Sequence, residues 1–165
     1  MVAKAAIAEG KYAQGFPSFG PERRGAPVLS FNRISEHEPI RIRAGITNPD
    51  IVVVLDPSLI HLVGVTSGLK EGGTIIINTR RSFEDIEKEI GSNWKLATID
   101  ASGIARQVLG VPIVNTTMIG ALLKTTDIVH LEAMVEPLND RFGHLAEKNI
   151  NAMRRAYNET KVKEL

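Results

Sequence analysis

Apolar runs rich in β-branched residues alternate with helix-like spacing through the middle of the chain. The clearest runs span residues 51–55, 74–77, 96–99 and 112–114. Continuous runs of this kind are typical of parallel strands that are buried on both faces. Because helical segments separate the runs, the pattern predicts an α/β fold of the Rossmann-like type, with a mostly parallel sheet flanked by helices.

The segments between the runs carry residues that begin and end helices. Ser82 and Asp85 have the spacing of a capping box, and Gly91 suits the end of the same helix. Asp56 followed by Pro57 predicts the start of a short helix after the first run. Two further helices are predicted over residues 102–109 and along the C-terminal stripe of Ala146, Ile150, Met153 and Tyr157.

Residues 25–46 depart from this alternation. Two extended segments, residues 28–32 and 40–43, flank the turn-forming residues 36–39. This arrangement predicts a β-hairpin inserted before the parallel strands. Arg41 and Arg43 alternate with isoleucines on the second segment and therefore share one face. That face suits an acidic partner surface, with ordinary solvation as the alternative.

Polar residues end the four apolar runs: Asp56, Asn78, Asp100 and Asn115. The carboxyl ends of parallel strands meet at one edge, where open α/β sheets bind ligands, so we expect a carboxyl-edge site there. Thr116 belongs to it, because residues 112–114 lead directly into a helix whose free N–H groups can receive an anion. Capping of the following helix or turn is the alternative for each residue, and the sequence leaves both open.

Residues 12–28, YAQGFPSFGPERRGAPV, concentrate aromatic, proline and glycine residues in one segment. Within it, Glu22 stands beside Arg23 and Arg24, whose guanidinium groups can each bind a carboxylate or a phosphate through two hydrogen bonds. We therefore predict recognition of an anion or a partner protein, with a rigid loop packed on its own domain as the alternative. The candidate residues are Phe19, Gly20, Pro21, Glu22, Arg23, Arg24 and Gly25.

Length and charge narrow the classes of protein. The 165 residues suffice for one domain with a sizeable core, which we assign to residues 1–165. Lys and Arg number 20 against 19 Asp and Glu, so no strong basic field attracts nucleic acid. The first ten residues are too short an apolar run for a signal peptide or a membrane span. We therefore expect no membrane partner and a cytoplasmic location.

The sequence does not contain the residues that several kinds of catalytic site require. The chain has no cysteine, which excludes disulfides, Cys nucleophiles and the usual ligands of iron–sulfur clusters. The four histidines are scattered without the spacing of metal ligands, so we predict no metal site and no catalytic residue. The absence of a G-x-G-x-x-G fingerprint and of a G-x-S-x-G elbow argues against an independent dehydrogenase and a serine hydrolase.

A resemblance to a known family covers nearly the whole chain. The segments FPSFGPERRGAPV, IVVVLDPSL, GTIIINT, ATIDASGIA, VPIVNTTMIGAL and LAEKNINAMRRAY resemble the gamma subunit of 2-oxoacid:ferredoxin oxidoreductases, the pyruvate type especially. Members of that family normally begin with a strand and a GRGGQG loop that lead into a helix. This sequence lacks both, and its first ten residues match the position of the helix. Functions of that loop are not carried over.

The resemblance implies a division of labour between subunits. Thiamine diphosphate with Mg²⁺ lies in alpha and beta subunits, [4Fe-4S] clusters pass electrons to ferredoxin, and coenzyme A takes the acyl group. A gamma chain is then a non-redox component, inactive alone, that packs against alpha, beta and delta-type subunits and helps to enclose coenzyme A or the cofactor. The alternative is a stand-alone module that binds an anionic metabolite. The sequence does not decide which 2-oxoacid is used.

Overall fold

The computed structural model describes residues 1–18 and 27–165. Among these residues no helix combines the length and apolar character needed to cross a bilayer. The strands are β1 (Tyr12–Ser18), β2 (Leu29–Ser35), β3 (Ile51–Val54), β4 (Thr74–Asn78), β5 (Lys95–Ile99) and β6 (Lys161–Lys163). The helices are α1 (Val2–Ala8), α2 (Leu59–Leu62), α3 (Phe83–Ile90), α4 (Ala101–Leu109), α5 (Asn115–Thr125), α6 (Val135–Phe142) and α7 (Ala146–Glu159).

The main sheet has the order β3-β4-β5-β6. Strands β3, β4 and β5 run parallel, and β6 pairs with β5 in the antiparallel direction. Every residue of β4 is buried, which explains its unbroken TIII sequence, because a central strand covered on both faces has no solvent side. The predicted α/β fold with a mostly parallel sheet is confirmed.

Helices cover both faces of this sheet. On one face Ile76 and Ala97 pack in a cluster with residues of α4, α5 and α7, including Met118. On the other face Ile75 and Ile77 pack with Ile86 of α3. The predicted capping of α3 is present, since the Asp85 N–H donates to the Ser82 hydroxyl at 3.2 Å and Gly91 ends the helix.

Helices α5 and α7 approach each other closely at Gly120. A Cβ placed at this position would lie 2.0 Å from the backbone oxygen of Met153, well inside van der Waals contact. Only a glycine therefore permits this helix separation. A third cluster of apolar residues lies beside the pair, where Val2, Ala5 and Ala6 of α1 contact residues of α5, α6 and α7.

The inserted hairpin is present but its strands differ from the prediction. Strand β2 pairs with β1, antiparallel, from Tyr12 opposite Ser35 to Ser18 opposite Leu29. Residues 40–43 form no strand, so the prediction that they pair with residues 28–32 is wrong. The sequence pattern did not predict β1, because this strand contains Gly15 and Pro17, and both residue types are uncommon in strands.

Two further boundaries differ from the sequence pattern. Residues 112–114 form no strand, and Ile113 is exposed. The predicted strand leading into α5 is therefore wrong. Helix α2 begins at Leu59 with Ser58 as its N-cap, so Asp56 and Pro57 form a turn before the helix instead of its first residues.

Candidate functional site

Three of the carboxyl-edge residues lie on neighbouring strands. Asp56 follows β3, Asn78 ends β4 and Asp100 follows β5, and these strands are adjacent and parallel. The structure thus brings Asp56, Asn78 and Asp100 to the same edge of the sheet. Their contacts show what each side chain does there.

Asn78 is buried and uses both ends of its carboxamide. Its Nδ2 donates to the Leu55 carbonyl at 2.9 Å and lies 2.9 Å from the Ser102 hydroxyl. Its Oδ1 accepts from the Ser102 backbone N–H at 3.2 Å. The side chain therefore joins the end of β3 to the start of α4 across the end of β4, and its polar atoms are occupied by the protein.

Asp100 caps helix α4 and also holds an arginine. Its Oδ1 accepts from the Gly103 N–H at 2.8 Å, and its Oδ2 accepts from Arg80 Nε at 2.7 Å. A Cβ at residue 103 would lie 2.2 Å from Oδ2, so glycine makes room for this cap. The capping alternative describes Asp100 in this structure, with Arg80 as an additional contact.

Asp56 organises the turn that precedes α2. Its Oδ1 accepts from the Ser58 N–H at 2.9 Å and from the Ser58 hydroxyl at 2.8 Å. The backbone hydrogen bond, followed by that from the hydroxyl, holds the pKa of Asp56 below its ordinary value, because both bonds favour the charged carboxylate. Asp56 is thus an exposed anion that stabilises a turn.

Asn115 and Thr116 open α5 but follow no strand. Asn115 is exposed, whereas Thr116 is buried and donates its hydroxyl to Asn149 Oδ1 at 2.9 Å. Asn149 in turn donates to the Leu145 carbonyl at 3.0 Å. Thr116 therefore links α5 to α7 through a buried hydrogen bond.

The predicted interface loop lies outside the described residues. This applies to all seven of its candidate residues: Phe19, Gly20, Pro21, Glu22, Arg23, Arg24 and Gly25. The base of the loop is described, and there Phe16 of β1 and Phe31 of β2 pack with ring centroids 5.5 Å apart. This cross-strand pair stabilises the hairpin that carries the loop.

A segment after β2, residues 40–46, is bound to the hairpin through its main chain. The Ile42 carbonyl accepts from Arg33 Nη1 at 3.4 Å and from the side chain of Gln14. The Gly45 carbonyl accepts from Arg33 Nη2 at 3.3 Å. Side chains of the hairpin thus occupy two carbonyls of this segment, which forms no strand. Arg41 is left exposed beside it.

A cleft at the carboxyl edge was missed by the sequence analysis. Its volume is about 240 Å³, and Arg80, Arg81 and Lys161 contribute positive charge to its lining, beside Asp100. The adjacent arginines directly after an apolar run were a usable signal, whereas the approach of Lys161 depends on the pairing of β6. A larger depression of about 680 Å³ lies at the opposite end of the strands, near Trp94, and no cationic side chain lines it.

A second missed group ties the N-terminal helix to the loop after α5. Glu9 Oε1 accepts from the His130 backbone N–H at 2.8 Å and lies 2.9 Å from His130 Nδ1. Lys11 Nζ lies 3.4 Å from Glu9 Oε2 and donates to the Ile128 carbonyl at 2.7 Å. Glu9 and His130 stand 121 positions apart, so no sequence spacing reveals the contact.

Comparison with known proteins settles the family. The family described as pyruvate ferredoxin/flavodoxin oxidoreductase matches residues 1–159. The chain belongs to this family. The pyruvate/ketoisovalerate oxidoreductases common subunit gamma of Thermococcus kodakarensis is 52% identical over 100% of this chain and 90% of its own length. The pyruvate synthase subunit PorC of Methanothermobacter marburgensis is 48% identical, with 98% and 88% covered.

A solved structure supports the same assignment. The crystal structure of pyruvate oxidoreductase subunit PORC from Thermotoga maritima superposes with a TM-score of 0.87 at 40% identity, covering 99% of this chain and 88% of that one. The resemblance to the gamma subunit family is therefore confirmed, together with the fold. These relatives are gamma or PorC subunits, and this chain aligns with about nine tenths of the length of each.

Proposed function

We propose that this chain is the gamma subunit of a multisubunit 2-oxoacid:ferredoxin oxidoreductase, with pyruvate as the 2-oxoacid. The observation that carries the proposal is the 52% identity to a gamma subunit over the whole chain. The assembled enzyme decarboxylates the 2-oxoacid on thiamine diphosphate, transfers the acyl group to coenzyme A and passes electrons to ferredoxin in the cytoplasm.

The donor atoms of this chain argue for a non-redox role within that enzyme. Iron–sulfur clusters are held by cysteine thiolates, and the sequence has no cysteine, so its residues do not fit a [4Fe-4S] cluster. Within residues 1–18 and 27–165 no group of three or more His, Asp or Glu is placed to hold a metal. We assign the clusters, thiamine diphosphate and Mg²⁺ to the alpha, beta and delta-type subunits.

The hairpin β1-β2 is the part of this chain that we assign to subunit docking. One face of the hairpin packs on the core beside α1 through Ala13 and Ile34, which leaves its exposed side chains for a partner. Val28, directly before β2, is 72% exposed and Leu29 is 58% exposed. Neighbouring exposed apolar side chains of this kind mark protein contact sites.

The sequence between the two strands carries the charged residues Glu22, Arg23 and Arg24. Arg23 and Arg24 are suited to two-point hydrogen bonds with a carboxylate or a phosphate, and Glu22 can orient one of them. Docking on the cofactor-carrying subunits would place these groups beside the region where coenzyme A or the cofactor is enclosed. The chain's contribution is then to preorganise that region.

Coexpression with the candidate alpha, beta and delta-type subunits tests the proposal. We expect this chain to copurify with them, and the complex to reduce ferredoxin in a reaction that depends on pyruvate and coenzyme A. The variant Leu29→Ser should weaken copurification about tenfold or more, equivalent to about 1.4 kcal/mol of lost apolar burial. Leu62→Ser is the matched control, because Leu62 is 71% exposed on α2 and lies outside the hairpin.

Two results would overturn the assignment. One is oxidation of a 2-oxoacid by the purified chain without partners. The other is the failure of the wild-type chain to associate with any of the three candidate subunits while it remains folded by circular dichroism.

A further inference from the structure

The cleft at the carboxyl edge is formed by three strand ends on the side of the sheet covered by α3. The Thr79 N–H donates to the Ile99 carbonyl at 2.8 Å, which extends the pairing of β4 and β5 by one residue. Arg80 and Arg81 follow directly and form one wall. The start of β6, at Lys161, forms the opposite wall.

The strand register directs Lys161 into this cleft. Lys161 is paired with Thr98, and directly opposed residues of antiparallel strands place their side chains on the same face. Lys163 lies on that face as well, since side chains alternate along a strand, and its Nζ contacts Glu87 of α3 at 2.6 Å. The ammonium group of Lys161 therefore lies on the α3 side, with the Thr98 side chain beside it.

Arg80 projects from the other wall with most of its guanidinium available. Only its Nε is used by Asp100, at 2.7 Å, and the side chain is 72% exposed. An arginine that is held by one nitrogen keeps a fixed orientation and still has two terminal amino groups to donate. Asp100 thus orients Arg80 without consuming its capacity to bind an anion.

The remaining charges of the cleft are satisfied by other partners. Arg81 contacts Glu89 and donates to the Asp85 carbonyl at 3.0 Å, and the hydrogen bond with Glu89 raises the pKa of Arg81. Glu159 accepts from Arg155 Nε at 2.6 Å. Within the described part of the chain, Lys161 has no carboxylate within 4.0 Å, and the terminal nitrogens of Arg80 form no hydrogen bond.

The size of the cleft limits what can enter it. Pockets that enclose drug-sized molecules measure about 300 to 1,000 Å³, and this cleft measures about 240 Å³. It therefore accommodates a charged group of a few heavy atoms, and not a whole nucleotide. We infer that the cleft binds a phosphate or pyrophosphate group, with Arg80 and Lys161 as its cationic ligands and Thr98 as a hydroxyl partner.

Titration calorimetry on the purified full chain, at constant ionic strength, tests the site with inorganic pyrophosphate as the probe. We expect a dissociation constant at or below about 1 mM. Arg80→Gln and Lys161→Gln should each weaken binding about tenfold or more, which corresponds to the loss of a hydrogen bond to a charged group. Lys163→Gln should change the dissociation constant by no more than about twofold. This substitution removes the same charge from the same strand face, but two residues away and outside the cleft lining.

A second arm identifies the source of the phosphate. Coenzyme A binding that competes with pyrophosphate and depends on Arg80 supports a site for the phosphates of that molecule. Pyrophosphate binding without coenzyme A binding supports a site for a free anion. No heat with millimolar pyrophosphate, or equal weakening by Lys163→Gln, overturns the inference. Because no partner subunit is needed, this outcome is independent of the assembly tested above.

Discussion

The carboxamide of Asn78 contacts Ser102 twice, through Nδ2 to the hydroxyl at 2.9 Å and through Oδ1 to the backbone N–H at 3.2 Å. A third bond reaches the Leu55 carbonyl at 2.9 Å. One buried side chain therefore joins two strands and a helix at the carboxyl edge.

Replacing Asn78 with alanine should destabilise the fold markedly. The change removes three hydrogen bonds, to the Leu55 carbonyl and to the hydroxyl and N–H of Ser102, and each contributes about 0.5–1.5 kcal/mol. We expect the free energy of unfolding in urea to fall by at least about 2 kcal/mol. The same change at Asn93, which is exposed, should have little effect, and equal losses in the two variants would contradict the structural role of Asn78.

Gly120→Ala should separate helices α5 and α7. The new Cβ would lie 2.0 Å from the Met153 carbonyl, and overpacking of this kind costs about 1–3 kcal/mol. Thermal unfolding should show a lower Tm. Gly64→Ala is the control, since a Cβ there meets only the Ser67 side chain at 3.5 Å. A Tm equal to that of the wild type would show that the helices are not held at this distance.

The contact of Glu9 with His130 should make stability depend on pH. Burial acts most strongly and raises the pKa of Glu9, but the hydrogen bonds from the backbone and ring of His130, with Lys11, together leave that pKa below its ordinary value of 4.5. A lowered carboxylate pKa stabilises the folded state above about pH 4.5, and the contribution is lost as pH falls through the folded value.

Urea unfolding of Glu9→Gln across pH tests this dependence. At pH 7 the variant should be less stable by about 1 kcal/mol, because two hydrogen bonds to a charged oxygen are weakened. The difference should shrink as pH falls below about 4.5. Glu71→Gln, at an exposed loop position, should show no such trend. A difference that stays constant from pH 7 to below the folded pKa would exclude the linkage.

Arg24→Ala should weaken assembly or turnover of the complex while this chain remains folded. The substitution removes a guanidinium group that can form two hydrogen bonds to a carboxylate or phosphate. We expect about a tenfold loss in copurification or in ferredoxin reduction, with an unchanged circular dichroism spectrum. Arg106→Ala, on the exposed side of α4, provides the comparison. Normal assembly together with a normal rate of ferredoxin reduction would contradict the role assigned to Arg24.

Much of the main sheet follows from short-range patterns. Strand β4 is buried on both faces, so its composition alone separates it from helices and loops. The cap of α3 could also be predicted from the sequence, because Ser82 and Asp85 form hydrogen bonds with each other within one helical turn. These features are local, and a sequence displays them directly.

The parts that failed depend on contacts between distant residues. Residues 40–43 have strand-like composition, yet the Ile42 carbonyl accepts hydrogen bonds from the side chains of Arg33 and Gln14 instead of from another strand. Strand β6 has only three residues, two of them lysines, and exists because β5 offers an edge. The basic cleft could not be predicted from the sequence for the same reason, since it forms only when β6 brings Lys161 beside Thr98.

The position of β3 at the end of the β3-β4-β5-β6 order has a practical consequence for handling the protein. Among the described residues its outer side has no hydrogen-bonded neighbour, and its sequence is four consecutive β-branched residues, Ile51–Val54. Such an edge is a template on which further strands can add. At high concentration the isolated chain should therefore form intermolecular sheet, visible as turbidity and thioflavin fluorescence.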